Sequence, residues 1–144
     1  MSAKDFFSAD QKSAIRASIA EAELHTSGEI RVHIENKAGN DVLAKANRTF
    51  DKLRMHKTKE RNGVLFFLAV KDKKFAIYGD EGIHARVQQN FWDDVKNVMG
   101  EKFQKGEFTE GLCKGIEMAG QKLQEHFPRE KSDSNELSNE VTFS

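Results

Sequence analysis

The sequence predicts an α/β fold, a three-layer α/β/α sandwich around a mixed sheet, and three observations predict it. Residues 29–35 alternate apolar and polar side chains, as a half-buried strand does. Residues 63–70 are apolar throughout, which is typical of a strand covered on both faces. Apolar residues at helical spacing occur before, between and after these segments, so we expect helices on both faces of the sheet.

The length and the charge balance limit the classes of function. The 144 residues are the size of one domain, which we assign to residues 1–128. Residues 129–144 are rich in Ser, Asn and Glu and are predicted to form a flexible C-terminal tail. The 23 Lys and Arg residues equal the 23 Asp and Glu residues, so no overall field attracts nucleic acid.

The sequence also bears on location. The longest apolar run, at residues 64–70, is far too short to insert into a membrane, and no signal-peptide core precedes the first helix. The single cysteine, Cys113, excludes an intramolecular disulfide. If the sequence is complete, we expect a soluble, cytoplasmic protein, and we predict a monomer.

The first helix begins after Ser8, which forms a capping box with Gln11. Behind this cap, Ile15, Ile19 and Ala22 recur at the spacing of one helix face. The first helix therefore precedes the predicted sheet and has one apolar face that can pack against it.

The next two elements are a strand and a helix. Ile30, Val32 and Ile34 lie on one face of the strand, and its other face is polar, which predicts a position near the edge of the sheet. Asp41 can cap the helix that follows, and this helix is predicted to run to about His56. A helical crossover makes the first two strands parallel.

The apolar strand at 63–70 is predicted to be central and to continue into a hairpin. The charged turn at 71–74 leads into a third strand at 75–78, antiparallel to the second. Beyond residue 82 the chain is predicted to be helical up to a break at Gly106. Thr109 can cap a last helix, which ends before Pro128.

An acidic turn connects the third strand to the helical region. Asp80 and Glu81 lie between Gly79 and Gly82, and glycine allows the backbone to aim both acids at one point. A hard cation such as Ca²⁺ or Mg²⁺ prefers oxygen ligands of this kind. The alternative is that one of the acids only caps the following helix. The tetrapeptide alone leaves both interpretations open.

The predicted topology brings other polar residues to the same place. Glu29 opens the first strand, Arg61 and Asn62 precede the second, and Asp80 and Glu81 leave the third. Because the third strand runs back along the second, these three segments should meet at one edge of the sheet. Asn62 adds a carbonyl oxygen, and Arg61 could balance charge or hold a phosphate.

The motifs at these positions resemble those of the TPM-domain family. They are SGEIRV at residues 27–32, RNGVL at 61–65 and GDEGIH at 79–84. Bacterial members are similar further on, at residues 91–92, 108–112 and 126–128. The resemblance covers nearly the whole chain before the tail and implies a bacterial member with an α/β/α sandwich.

The resemblance also implies a divalent-cation site, formed here by Asp80, Glu81, Glu29 and Asn62, and phosphatase activity in some members. We expect Ca²⁺ or Mg²⁺ binding to be the molecular activity. One alternative is a weak metal-dependent phosphatase that hydrolyses phosphate esters, in which the ion polarises the phosphoryl group and activates water. Another is a cation-modulated interaction module with a protein partner.

The sequence leaves open whether the protein is an enzyme, because it identifies no catalytic residue. Four side chains near the predicted site have no assigned role: His84, Arg61, Asp93 and Asp94. For Asp93 and Asp94, the solvated face of a helix is the favoured interpretation.

Overall fold

A computed structural model of the chain describes residues 3–129, 137 and 139–143. Five α-helices and four strands occur within these residues, together with two short 3₁₀ turns at Ala3–Asp5 and Met55–Lys57. In chain order the helices and strands are α1 (Ala9–Glu23), β1 (Glu29–Glu35), α2 (Val42–Lys52), β2 (Gly63–Ala69), β3 (Lys74–Gly79), α3 (Glu81–His84), α4 (Asp93–Gln104), α5 (Phe108–His126) and β4 (Thr142–Phe143).

The strands form one mixed sheet with the order β3-β2-β1-β4. Strand β1 is parallel to β2 and to β4, and β2 and β3 form an antiparallel hairpin. The predicted position of β2 between β1 and β3 is confirmed. The short strand β4 was not predicted, and it lies at the end of the segment assigned to a tail. Residues 130–136, 138 and 144 of that segment lie outside the described residues.

Two hydrophobic cores, one on each face of the sheet, confirm the three-layer architecture. Helices α1, α4 and α5 cover one face, where Ile30, Val32 and Ile34 of β1 are fully buried. Helix α2 covers the other face, where Leu65 and Phe67 of β2 are buried. All seven residues of β2 are buried, because side chains on both of its faces enter a core.

The helix boundaries differ from the predictions at three places. Helix α2 ends at Lys52 because Arg54 adopts a left-handed backbone conformation, with φ of 59°. The helical region after the acidic turn is divided into α3 and α4 by turns at residues 85–92, where three consecutive polar residues interrupt the apolar stripe. The N-cap of helix α5 is Glu107, two residues before the predicted cap Thr109, since the N–H of Gly111 donates to the Glu107 carbonyl.

The polar face of β1 is drier than the alternation predicted. Glu29 and His33 are 3% and 4% exposed. His33 stacks on Phe67 with a centroid distance of 5.8 Å, and its Nδ1 lies 2.7 Å from the Thr142 hydroxyl of β4. Strand β4 pairs with β1 on the side away from β2, so over this stretch β1 is not at the edge of the sheet, contrary to what the alternation predicted.

Each helix in the described part of the chain is too short or too polar to span a lipid bilayer.

Candidate functional site

The acidic turn is a helix cap packed tightly against a neighbouring loop. Asp80 is the N-cap of α3, and its Oδ1 accepts a hydrogen bond from the N–H of Glu81 at 2.8 Å. The N–H of Gly82 donates to the Arg61 carbonyl at 2.9 Å. A Cβ atom at Gly82 would lie only 2.2 Å from the Glu60 carbonyl oxygen, so only glycine permits this approach. The turn and the loop before β2 are therefore fixed to each other.

Arg61 joins the two acids of the turn. Its Nε and Nη2 donate to the two carboxylate oxygens of Asp80 at 2.9 and 3.1 Å, a bidentate pair. Its Nη1 lies 2.9 Å from Oε1 of Glu81. The hydrogen bond to Asp80 is the main cause that raises the pKa of Arg61, so the guanidinium keeps its charge. One cation thus faces both carboxylates of the predicted site.

A third carboxylate, Asp51 on α2, lies within electrostatic range of Arg61, whose pKa it also raises. Two of these carboxylates also affect the pKa of Tyr78 on β3. Burial raises the pKa of its hydroxyl, and Asp51 and Asp80 raise it further. We call Asp51, Asp80, Glu81 and Arg61 the acidic corner. Among these four side chains, three carboxylates lie in contact with, or in electrostatic range of, one guanidinium.

The segments that carry Glu29 and Asn62 meet the acidic turn, as the topology predicted. Glu29 pairs with Gly63 in the sheet, and the N–H of Asp80 donates to the Gly63 carbonyl at 2.9 Å. The backbone of Glu29 is linked to the same loop, since its N–H donates to the Asn62 carbonyl at 3.4 Å. The three segments therefore share one edge of the sheet.

The side chains of Glu29 and Asn62, however, make other contacts. Asn62 is 1% exposed, and its Nδ2 donates to the Ser27 hydroxyl at 3.1 Å. Glu29 accepts a hydrogen bond from the N–H of Leu137 through Oε1. The structure thus brings Asp80 and Glu81 together on Arg61 and gives Glu29 and Asn62 separate partners. In the described part of the chain, no group of three or more His, Cys, Asp and Glu side chains is arranged to hold a metal ion.

The other polar residues near the acidic turn lie outside this arrangement. His84 is exposed, with its ring 6.4 Å from that of Tyr78. Asp93 pairs with Lys96 at 3.7 Å, and Asp94 pairs with Lys122 at 3.0 Å. The solvated face of α4 that was favoured for both aspartates is what the structure shows.

Sequence reasoning missed a buried acid next to Glu29. Glu23 at the end of α1 is 5% exposed and accepts a hydrogen bond from the N–H of Ile30 at 2.8 Å. Its pKa is raised to about 7, mainly by burial and also by the charge of Glu29, against the lowering effect of that hydrogen bond. The signal was in the pattern, because Glu23 follows Ile19 by four residues on the apolar face of α1.

Comparison with known proteins identifies solved structures that resemble this chain. None of the curated proteins compared is significantly similar to the chain. Among solved structures, the BA42 protein from the psychrophilic bacterium Bizionia argentinensis is 44% identical, with a TM-score of 0.92 over 98% of this chain and 97% of that one. The N-terminal domain of the cg2496 protein from Corynebacterium glutamicum is 13% identical, with a TM-score of 0.63 over 94% of this chain and 80% of that one. This second likeness concerns the fold alone.

The TPM domain matches residues 1–122, which include every strand of the sheet except β4 and the whole acidic corner. The chain therefore belongs to the TPM-domain family.

Proposed function

We propose that this protein binds a divalent cation, Ca²⁺ or Mg²⁺, at the acidic corner through Asp80 and Glu81. The observation that carries the proposal is the convergence of these two adjacent carboxylates on one guanidinium, with Asp51 in electrostatic range. The guanidinium of Arg61 pairs with both carboxylates, which shows that they attract a positive charge. Its single charge does not neutralise all three carboxylates of the acidic corner.

The donor chemistry of the corner fits a hard cation, which prefers oxygen ligands. The Asp80 side chain is 6% exposed and held in place, whereas that of Glu81 is 71% exposed and open to solvent. Asp80 and Glu81 would hold the ion, and the guanidinium of Arg61 must move aside to release their oxygens. Glu29 and Asn62 stay predicted ligands, which would first have to leave the contacts with Leu137 and Ser27.

An NMR titration with Mg²⁺ and with Ca²⁺ tests this proposal. Amide shifts should change in a saturable way at residues 79–84 and 60–63. The variant Asp80→Asn should lose the response and keep the fold, because asparagine is an equally good N-cap. The matched control is Asp93→Asn, which removes an exposed carboxylate of α4 and should leave the titration unchanged. Shift changes confined to residues far from the turn would contradict the proposed site.

Phosphatase activity stays an alternative without an observation of its own in its favour. When bound, a divalent cation can polarise a phosphoryl oxygen and lower the pKa of a bound water. Arg61, the side chain expected to neutralise phosphoryl charge, directs its donors at Asp80 and Glu81. Hydrolysis of a phosphate ester that Asp80→Asn and a chelator both abolish would favour the enzyme.

A cation-modulated interaction module is the other alternative. A cation that binds only the folded state stabilises it by about 1.4 kcal/mol at ten times the dissociation constant, without any catalysis. Cation binding without hydrolysis would favour this module over the phosphatase. A protein partner and a cytoplasmic location of the protein stay proposals.

A further inference from the structure

A second charged site lies on the face of the sheet that α2 covers, between α2 and the β1–β4 pair. It is a groove of about 510 Å³, and four cations line it: Lys4, Lys45, Arg48 and Lys52. The side chain of His33 on β1 also lines it. We call this site the basic groove. In the sheet, the basic groove lies at the β1–β4 pair and the acidic corner beyond the end of β3. Helix α2 contributes to both sites, with Lys52 in the groove and Asp51 in the acidic corner.

The cations of the basic groove exceed its carboxylates. Glu35 is the one acidic residue among those that line it, and its Oε2 lies 3.7 Å from Nζ of Lys45. In the described part of the chain, neither Arg48 nor Lys52 forms an ion pair. This concentration of positive charge occurs in a chain whose overall net charge is zero. The field is therefore local and favours one bound anion over general attraction to polyanions.

Arg31 adds a partly buried guanidinium next to the groove. It lies two positions before His33 on the same face of β1, and its charge reaches that residue. Its Nε is buried without a hydrogen-bond partner, and no carboxylate within the described ranges pairs with it. Burial also lowers the pKa of Arg31. Because a charge taken out of water without an ion pair is costly, a bound anion would stabilise this guanidinium.

We infer that the basic groove binds a phosphorylated small molecule, with its phosphomonoester group held by Arg48, Lys52 and Arg31. A dianion fits because several cations converge, and guanidinium groups match the geometry of phosphate oxygens. The remaining lining includes Leu53 and Phe143, which offer apolar surface to the body of the molecule. The volume of about 510 Å³ is that of a small-molecule site.

An NMR titration with phenyl phosphate and with inorganic phosphate, at ionic strength held constant with NaCl, tests the inference. Saturable shift changes should occur at residues 31–35, 45–53 and 142–143 and not at 79–84. Phenyl phosphate should bind more tightly than inorganic phosphate because of the apolar lining. Equal affinity for the two probes would still support a phosphate site, but it would overturn the proposed apolar contact of the ligand with Leu53 and Phe143.

Variants on the exposed side of α2 test the charged contacts without altering a core. Arg48→Gln and Lys52→Gln should each weaken phenyl phosphate binding about tenfold, since each removes a hydrogen bond to a charged group. Lys96→Gln on α4 is the matched control and should leave the affinity unchanged. Arg31→Gln should weaken binding further, and the two α2 variants keep the test valid if that variant fails to fold. Shifts that NaCl alone reproduces, or an affinity unchanged in both α2 variants, would overturn the inference.

Discussion

The substitution Glu23→Gln should stabilise the protein above neutral pH and remove much of the pH dependence of its unfolding. Burial is the main cause that raises the pKa of Glu23 from its ordinary value of 4.5 to about 7. The difference between these two pKa values corresponds to about 3 kcal/mol. Glutamine retains a side-chain oxygen for the N–H of Ile30 and has no proton to lose.

The sign follows from proton binding in the two states. Between pH 4.5 and about 7 the folded protein holds a proton on Glu23 that the unfolded chain has already released. The free energy of unfolding therefore falls as pH rises through this interval and is level above it. The stabilisation from the protonated acid is fully present below pH 4.5.

Urea denaturation of the wild type and of Glu23→Gln, from about pH 4.5 to pH 8, measures the effect as the difference between two stability curves. The curves should separate by about 3 kcal/mol across the interval, which corresponds to roughly 10 °C in Tm. Glu21→Gln is the matched control, because Glu21 lies two residues earlier on α1 with a side chain that is 73% exposed. Parallel curves for the wild type and Glu23→Gln would refute the reasoning.

Two further predictions concern the local structure. Gly82→Ala should destabilise the protein by about 2 kcal/mol or more, because the new Cβ lies 2.2 Å from the Glu60 carbonyl oxygen, and thermal unfolding measures the loss. Gly100→Ala is its control and should stabilise α4 by about 0.5–1 kcal/mol, since nothing lies within 4 Å of that Cβ; a loss equal to that of Gly82→Ala would contradict the packing argument. Ser8→Ala should cost about 1 kcal/mol in urea denaturation because it removes the capping box of α1, and an unchanged stability would show that the cap is dispensable.

The strands and the first cap could be predicted because their signals are local. The bounds of β1 match the alternating segment, and β2 ends one residue before the predicted position. The capping box of Ser8 and Gln11 is present with both of its hydrogen bonds. Strand β4 could not be predicted, since two residues carry no period. It pairs with β1, whose His33 lies within hydrogen-bond distance of Thr142, 109 positions along the chain.

The candidate site, too, could be predicted from the sequence only in part. The meeting of three segments at one edge follows from strand order and direction, which the sequence pattern indicates. The contacts of individual side chains do not, because they depend on rotamers and on distant residues. Glu29 binds the N–H of Leu137, which is 108 positions away, and Arg61 turns to Asp80 from a left-handed backbone with φ of 52°. That Arg31 forms no ion pair with a carboxylate of the described residues likewise follows from packing, not from spacing.

The most direct test of cation binding at the acidic corner is calorimetric titration of Mg²⁺ and Ca²⁺ into the wild type and Arg61→Asn. Asparagine tolerates the left-handed backbone of this position and removes the guanidinium that occupies the two carboxylates. Without this competing charge, the cation should bind about tenfold more tightly, and unchanged amide shifts in β1 and β2 would show that the fold is intact. Equal or weaker binding by a folded Arg61→Asn would contradict the proposal that the ion and Arg61 share Asp80 and Glu81.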